Sequence, residues 1–298
     1  MKRTRRGKRK SSKKVEKALK FLGVNAAGLK SKLATFKKVV TEQDVNVFFL
    51  QETKAKTTGT FKLENFIIFE KVRTNQDGGG GIALGCQKDL CPVWVREGDK
   101  NVETISVNIS IRSMSIRLCS AYGPQEDDNV DIKEAFWKYI DEDVIQAEHT
   151  GSGFVLQMDG NLWAGSEIVP GDPRKRNRNG KLFSEFLARH PALSVVNALP
   201  QCTGLITRRR QLMNGKQEES VLDFFVVCKQ VLPHVMSMLV DEKKKYVLTN
   251  YAEARKGGKA TDTDHATEIM EMNLKVEHQK PQREQIFLFK DTNQQEIF

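Results

Sequence analysis

No apolar run in this chain approaches the roughly 18 residues that span a bilayer, so nothing reads as a transmembrane helix. The basic N-terminus has no apolar h-region behind it, which argues against a secretory signal. Five cysteines are present, Cys86, Cys91, Cys119, Cys202 and Cys228, and none forms a C-x-x-C pair. No further Cys or His pair follows Cys86 and Cys91 at ligand spacing, which argues against zinc. The thiols read as reduced and buried in a nuclear or cytoplasmic protein that is not secreted. The glycine run at 78–81 lacks the Lys-Ser/Thr of a P-loop and leads into a strand rather than a helix. It reads as a flexible turn. No internal repeat and no linker-like stretch interrupts residues 20–275.

What is present suits a folded domain. The chain has 298 residues, 39% hydrophobic and 29% charged, the balance of a globular protein rather than a disordered one. Its charge is uneven. Residues 1–20 hold eleven Lys/Arg and one Glu, which accounts for the whole net charge of +10. A basic tail is therefore expected over residues 1–19, with Lys2, Arg3, Arg5 and Arg6 as candidate contacts to nucleic acid. Such a tail also suits nuclear import or an anionic membrane surface. A globular domain is expected over residues 20–275, and a polar extension over 276–298.

Within the domain, FLGVNAAGL predicts a strand entering a turn. Leu33, Phe36, Val39 and Val40 predict an amphipathic helix over 31–45, and VNVFFLQE a buried strand. Strand–helix–strand favours a parallel pair. NFIIFEKV, GGIALGC, ETISVNISI and SIRLCSAYG suggest an antiparallel meander. KEAFWKYIDEDVIQA and GKLFSEFLARH read as helices, and GFVLQMD, LSVVNA, SVLDFFVV and HATEIMEMNL as strands. This pattern predicts mixed sheets with helices packed outside.

Four acids lie at these apolar runs. Glu52 follows VNVFFLQ, Asp159 follows FVLQM, Asp223 is embedded in SVLDFFVV, and Asp264 precedes His265. An unpaired buried carboxylate is costly, so these residues suggest a shared partner, most simply a divalent cation and a phosphate. Asp159-Gly160-Asn161 suits metal or water binding, although Asp-Gly is also a common turn. Asn161 lies two residues on and can donate to a phosphate oxygen. His265 suits a general base, and Asp223 is placed to orient it. Glu52 is the natural Mg²⁺ ligand, and Asn25 can reach the same cleft. Tyr122 offers an O–H to phosphate. Arg174, Arg176, Arg178, Arg208 and Arg209 fall in basic segments that suit backbone contact with nucleic acid, or simply a solvated face.

Taken in order, Asn25, Glu52, GGGGIAL, Tyr122, Asp159-x-Asn161, Ser220-x-x-Asp223 and Asp264-His265 resemble the endonuclease/exonuclease/phosphatase superfamily. NRNGKLFSEFL with LSVVNA, and Trp163 after Asp-Gly-Asn, are most similar to the endonuclease domain of non-LTR (LINE-type) retrotransposons. The resemblance implies a four-layer α/β sandwich, two mixed sheets face to face with helices outside. It implies Mg²⁺ (or Mn²⁺)-dependent phosphodiester hydrolysis on DNA, with no membrane partner. The QREQIFLFKDTNQQEIF segment adds a reverse transcriptase in a longer polyprotein as an implied partner. By position, Glu52 would bind metal with Asn25 and Asp264 close to it. His265, oriented by Asp223, would contact the phosphate or act as base. Asp159 would handle the attacking water, and Asn161 and Tyr122 would hold phosphate oxygens. Ala27 stands where many members carry a second acid, which weakens a two-metal reading. Thr263 replaces the usual Ser, and Gln125 leans away from abasic-site repair. A phosphatase or lipid phosphodiesterase, and a catalytically inactive nucleic-acid-binding fragment, are the competing readings.

Overall fold

In the computed structural model, residues 18–73, 79–252, 254 and 258–274 are described. Residues 1–17 of the expected tail, including Lys2, Arg3, Arg5 and Arg6, and the C-terminal extension lie outside them, whereas Leu19, expected in the tail, is buried and opens the first strand. One sheet holds seven strands: β1 (Leu19–Asn25), β2 (Val47–Gln51), β3 (Phe66–Lys71), β4 (Ile82–Gln87), β10 (Cys202–Thr203), β14 (Val235–Val240) and β17 (Glu268–Met272). Their order is β10-β14-β17-β1-β2-β4-β3. The second holds β5 (Val93–Glu97), β6 (Glu103–Ile111), β7 (Met114–Tyr122), β8 (Gly153–Asp159), β9 (Leu193–Val195) and β13 (Asp223–Cys228), in the order β5-β6-β7-β8-β13-β9. Two hairpins stand apart, β11 (Arg208–Gln211) with β12 (Gln217–Ser220), and β15 (Thr249–Asn250) with β16 (Thr261–Asp262).

β1 and β2 are parallel, as the strand–helix–strand opening requires. A 3₁₀ turn, Lys30–Lys32, leads into the helix between them, α1 (Leu33–Glu42), which is shorter than the apolar spacing suggested. Every residue of β2 is buried, so it reads as an unbroken apolar run rather than an alternation. Phe49 faces the opposite sheet and meets Phe225 edge-on at 5.8 Å, while Phe48 faces outward onto Phe36 of α1 at 5.1 Å. On the far side, α2 (Val130–His149) and α3 (Arg178–Arg189) cover the second sheet through Trp137, Phe183 and Phe224. The result is the four-layer α/β/β/α sandwich. Each aromatic is worth about 1.5–3 kcal/mol in burial alone.

The expected meander is divided. β3 and β4 pair in the first sheet, whereas β6 and β7 pair in the second. Between them a 3₁₀ turn and a left-handed Cys91 (φ 47°) carry the chain across to β5. Asp223 is not embedded in its strand but opens it. Among the described residues, no helix is long and apolar enough to cross a membrane.

Register decides where the polar residues meet. Asn25 pairs with Gln51 at the ends of β1 and β2, Tyr122 with Asp159 at the ends of β7 and β8, and Asp159 with Asp223. The antiparallel strands β13 and β17 begin at this edge, so their first residues join the last residues of the others.

Candidate active site

Residues from six strands or their flanking turns converge at this edge. His265 Nδ1 shares a 2.9 Å hydrogen bond with Asp223 Oδ2, and its Nε2 lies 3.9 Å from Asp159 Oδ2. All three are at least nine-tenths buried. Burial opposes protonation of His265. The Asp223 charge and hydrogen bond, then Asp159 and Asp264, outweigh it and raise the imidazole to about 9. Burial and the Asp223 charge push Asp159 up to about 7 against the pull of His265 and Asn25. Asp223 Oδ1 is buried with no partner, so the dyad has spare acceptor capacity.

Asn25 joins the two sheets. Its amide nitrogen donates to Asp159 Oδ2 at 2.8 Å and to Glu52 Oε1 at 3.1 Å, and its oxygen accepts from Ala27 N. The Asn25 side chain thus spaces two carboxylates as well as lining the site. Tyr122 donates to Glu52 Oε1 at 2.9 Å, and Lys54 Nζ lies 3.2 Å from Oε2. Burial works against ionisation of Glu52, but Asn25, Tyr122 and Lys54 prevail and hold it below the usual carboxylate range. Burial and the charges of Asp159 and Glu52 push the Tyr122 phenol far upward, so it remains a donor. Burial likewise opposes Asp264, yet His265 and Arg208 hold its carboxyl low.

The backbone that presents Glu52 is strained. Glu52 and Lys54 are both left-handed, at φ 47° and 51°. Hydrogen bonds clamp this turn from both sides: Gly28 N and Leu29 N donate to Glu52 O and Thr53 O, while Thr53 N and Lys54 N donate to Gly81 O and Gly80 O. Gly80 and Gly81 thus buttress the turn that presents Glu52, while Gly78 of the run lies outside the described residues. Gly81 has φ 81°, and a Cβ there would meet Thr53 Oγ1 at 2.8 Å. Its N–H donates to buried Glu103, which also binds Arg73. Sequence reasoning missed Glu103, and it missed Lys32, whose buried ammonium donates to Ala26 O and Ala27 O at 2.8 Å. A charged residue inside a strand or a helix-leading turn carries no local mark of such a role.

Asn161 follows Asp159 in a left-handed turn (φ 46°); its N–H caps Asp159 Oδ1 and its amide nitrogen donates to Gly123 O at 2.8 Å. The turn and the site coincide here. A cleft of about 370 Å³ opens above, lined by Glu52, Asn161, Asp264, His265 and the cations Lys54, Arg208 and Arg210. Of the expected basic contacts, Arg208 faces this cleft. Arg209 points away and is bound to Glu219 and Glu242. Arg174 is spent on Glu218 and lies over Trp163, and Arg176 pairs with Glu167. Arg178 is exposed at the start of α3. Arg210, the last residue of the basic segment 208–210, faces the cleft with Arg208.

No protein-family model matches the chain, and a search of curated proteins finds no match either. Solved structures do match. The endonuclease domain of TRAS1, a telomere-specific non-LTR retrotransposon, aligns over 86% of this chain and 99% of its own, with TM-score 0.61 and 17% identity. The AP endonuclease LMAP of Leishmania major aligns over 86% and 87%, with TM-score 0.62 and 16% identity. The 3' phosphatase NExo from Neisseria, bound to product DNA hairpin, aligns over 86% and 100%, with TM-score 0.63 and 16% identity. The chain has the endonuclease/exonuclease/phosphatase fold. At such identities the likeness establishes the sandwich, and the chemistry has to be argued from the cleft.

Proposed function

We propose that this chain is a divalent-metal-dependent endonuclease that nicks DNA. The observation that carries the reading is the buried His265–Asp223 pair with Asp159 3.9 Å from the same ring, beneath the cleft and beside a Glu52 held by three donors. Glu52 and Asp264 are hard oxygen donors kept ionised at the cleft, a set that fits Mg²⁺ or Mn²⁺ and leaves room for water and phosphate. A bound ion would supply Lewis-acid neutralisation of phosphate charge.

The residues divide the remaining work. His265, kept charged by Asp223, contacts a non-bridging phosphate oxygen through Nε2. Asp159, its affinity for protons raised, accepts the proton of a water as that water's oxygen bonds to phosphorus. The P–O bond to the leaving alcohol breaks, and solvent protonates the departing oxygen. Tyr122 holds Glu52, and Gln125, which lines the cleft, donates to the Tyr122 hydroxyl oxygen at 3.1 Å. Lys54 and Arg210 give the cleft a basic rim for the nucleic-acid backbone. The N-terminal basic segment would add sequence-independent affinity.

Supercoiled plasmid with purified protein and Mg²⁺ tests this. Relaxation abolished by EDTA and by His265→Ala is expected. Intact plasmid alongside turnover of a phosphomonoester would move the chain to the phosphatase reading. Intact plasmid still shifted on a gel, with no turnover, would leave a binding fragment.

A further inference from the structure

Three consecutive arginines open the β11 hairpin, and the strand's two-residue period gives them different fates. Arg209 turns to the outer face, where Glu219 and Glu242 neutralise it. Arg208 and Arg210 turn to the cleft. Arg210 is exposed and reaches solvent. Arg208 is different from both. Its backbone forms a bridge with His265, and the neighbouring bonds Arg209 N to Asp264 O and Ala266 N to Thr207 O lock the two segments together. Its Nε donates to Asp264 Oδ2 at 2.8 Å, and its side chain is only 26% exposed. Among the described residues nothing accepts from Nη1 or Nη2, and neither is buried without a partner, so both reach the cleft beside His265.

We propose that Arg208 is a catalytic residue, a guanidinium pinned by Asp264 so that its two terminal amino groups bind the scissile phosphate and stabilise the charge that grows there in the transition state. The inference rests on the endonuclease reading of this site. Its physical basis is preorganisation. A free arginine would lose side-chain entropy on gripping phosphate, whereas Arg208 is already held by Nε and by the His265 bridge. Its planar fork suits two oxygens of one phosphate, and it stays charged at any working pH. Lys54 cannot serve in the same way, because its ammonium is drawn to Glu52. A phosphate contact that acts only in binding would need no such anchoring, and Arg210 shows what that looks like.

The test separates three roles. Nicking kinetics at saturating DNA, DNA affinity by anisotropy without metal, and Mn²⁺ affinity by electron paramagnetic resonance are measured for wild type, Arg208→Ala, Arg208→Lys and Arg210→Ala. For Arg208→Ala, kcat is expected to fall roughly 100- to 1,000-fold, while KM, DNA affinity and Mn²⁺ affinity stay within about threefold. Low, non-denaturing guanidinium should restore part of the rate and ammonium should not. Arg208→Lys should remain slow, which holds the test open should the alanine variant misfold. Arg210→Ala should raise KM and leave kcat. A rise in KM alone for Arg208→Ala would reduce Arg208 to a backbone contact. A parallel loss of Mn²⁺ affinity without guanidinium rescue would reduce it to a positioner of Asp264. Wild type that neither binds Mn²⁺ nor nicks would remove the endonuclease reading itself, and this inference with it.

Discussion

Two groups of buried carboxylates occupy the same seam between the sheets, and they obey different rules. At the mouth, Asp223 is bonded to His265, and Asp159 faces the same ring. Deeper in, Glu268 of β17 is fully buried with only amides for company: Gln157 donates to one oxygen at 3.2 Å and Asn197 to the other at 3.0 Å. Asn197 also donates to Asp223 O, so one side chain touches both groups. The mouth carboxylates share an imidazolium, which offsets part of the burial penalty on Asp159. Burial, then the Asp223 charge, pushes Glu268 up to about 8. A buried acid with a cation is equipped for chemistry, and one with amides alone is a strain on the fold.

The largest effect should come from breaking the mouth. Asp223→Asn removes the charge that holds His265 protonated and misorients the ring, and the nicking rate should fall about 10³-fold with the fold intact by circular dichroism. A variant that nicks at the wild-type rate would mean the dyad is structural, like Glu268. A third buried carboxylate sharpens the contrast from the stability side. Asp143 is fully buried and bonded to Arg117 at 2.5 Å, far from the cleft. Asp143→Ala leaves the buried arginine without its counter-charge, with only Asn108 and Gln146 to accept from it, and should cost about 3–5 kcal/mol in urea unfolding, with kcat per folded molecule unchanged. Glu103→Ala comes next. It frees Gly81 N and loosens the turn that presents Glu52, so Mn²⁺ affinity should drop about 10- to 100-fold, with Glu103→Gln restoring most of it because an acceptor remains.

The contrast also explains what the sequence could reveal. Asn25, Glu52, Tyr122 and Asp159 each stand where an apolar β-run stops, a position that composition marks locally, whereas Asp223 reads as embedded in SVLDFFVV and only the structure puts it at the start of β13. The parallel β1–β2 pair and the outer helices were legible for the same reason, since their apolar periods are strong. Glu268 was not legible: EIMEM reads as a half-exposed alternation, and only the approach of β8 and the Asn197 turn buries its first residue. β11 has no apolar residue at all, so the hairpin that carries Arg208 left no strand signal. Glu103 and Lys32 gain their roles from chain segments that arrive from elsewhere in the fold. Local pattern shows where polar groups sit, and tertiary approach decides which of them keep a partner.

The smallest effect, and the one that best separates the two groups, is Glu268→Gln. The folded-state affinity of Glu268 for a proton lies above its unfolded value near 4.5, with the folded pKa at about 8. The folded state therefore holds this proton more tightly than the unfolded chain. The stability linked to Glu268 is fully present below about pH 4.5 and is lost progressively as pH rises toward 8. Glutamine keeps the shape and cannot ionise. The Gln157 amide can turn over to accept from the new amide nitrogen, as it would from a protonated carboxyl, provided Gln51, which now donates to Gln157 Oε1, turns with it and offers its unpartnered Oε1. The variant should match wild type near pH 4.5 and be more stable by about 1–3 kcal/mol at pH 8, read from urea midpoints across that range. Its nicking rate should stay within about twofold, because Asn197 still holds Asp223 through the backbone. A variant destabilised at every pH would show that the Glu268 charge is compensated in the core, and the distinction between mouth and seam would then rest on geometry alone.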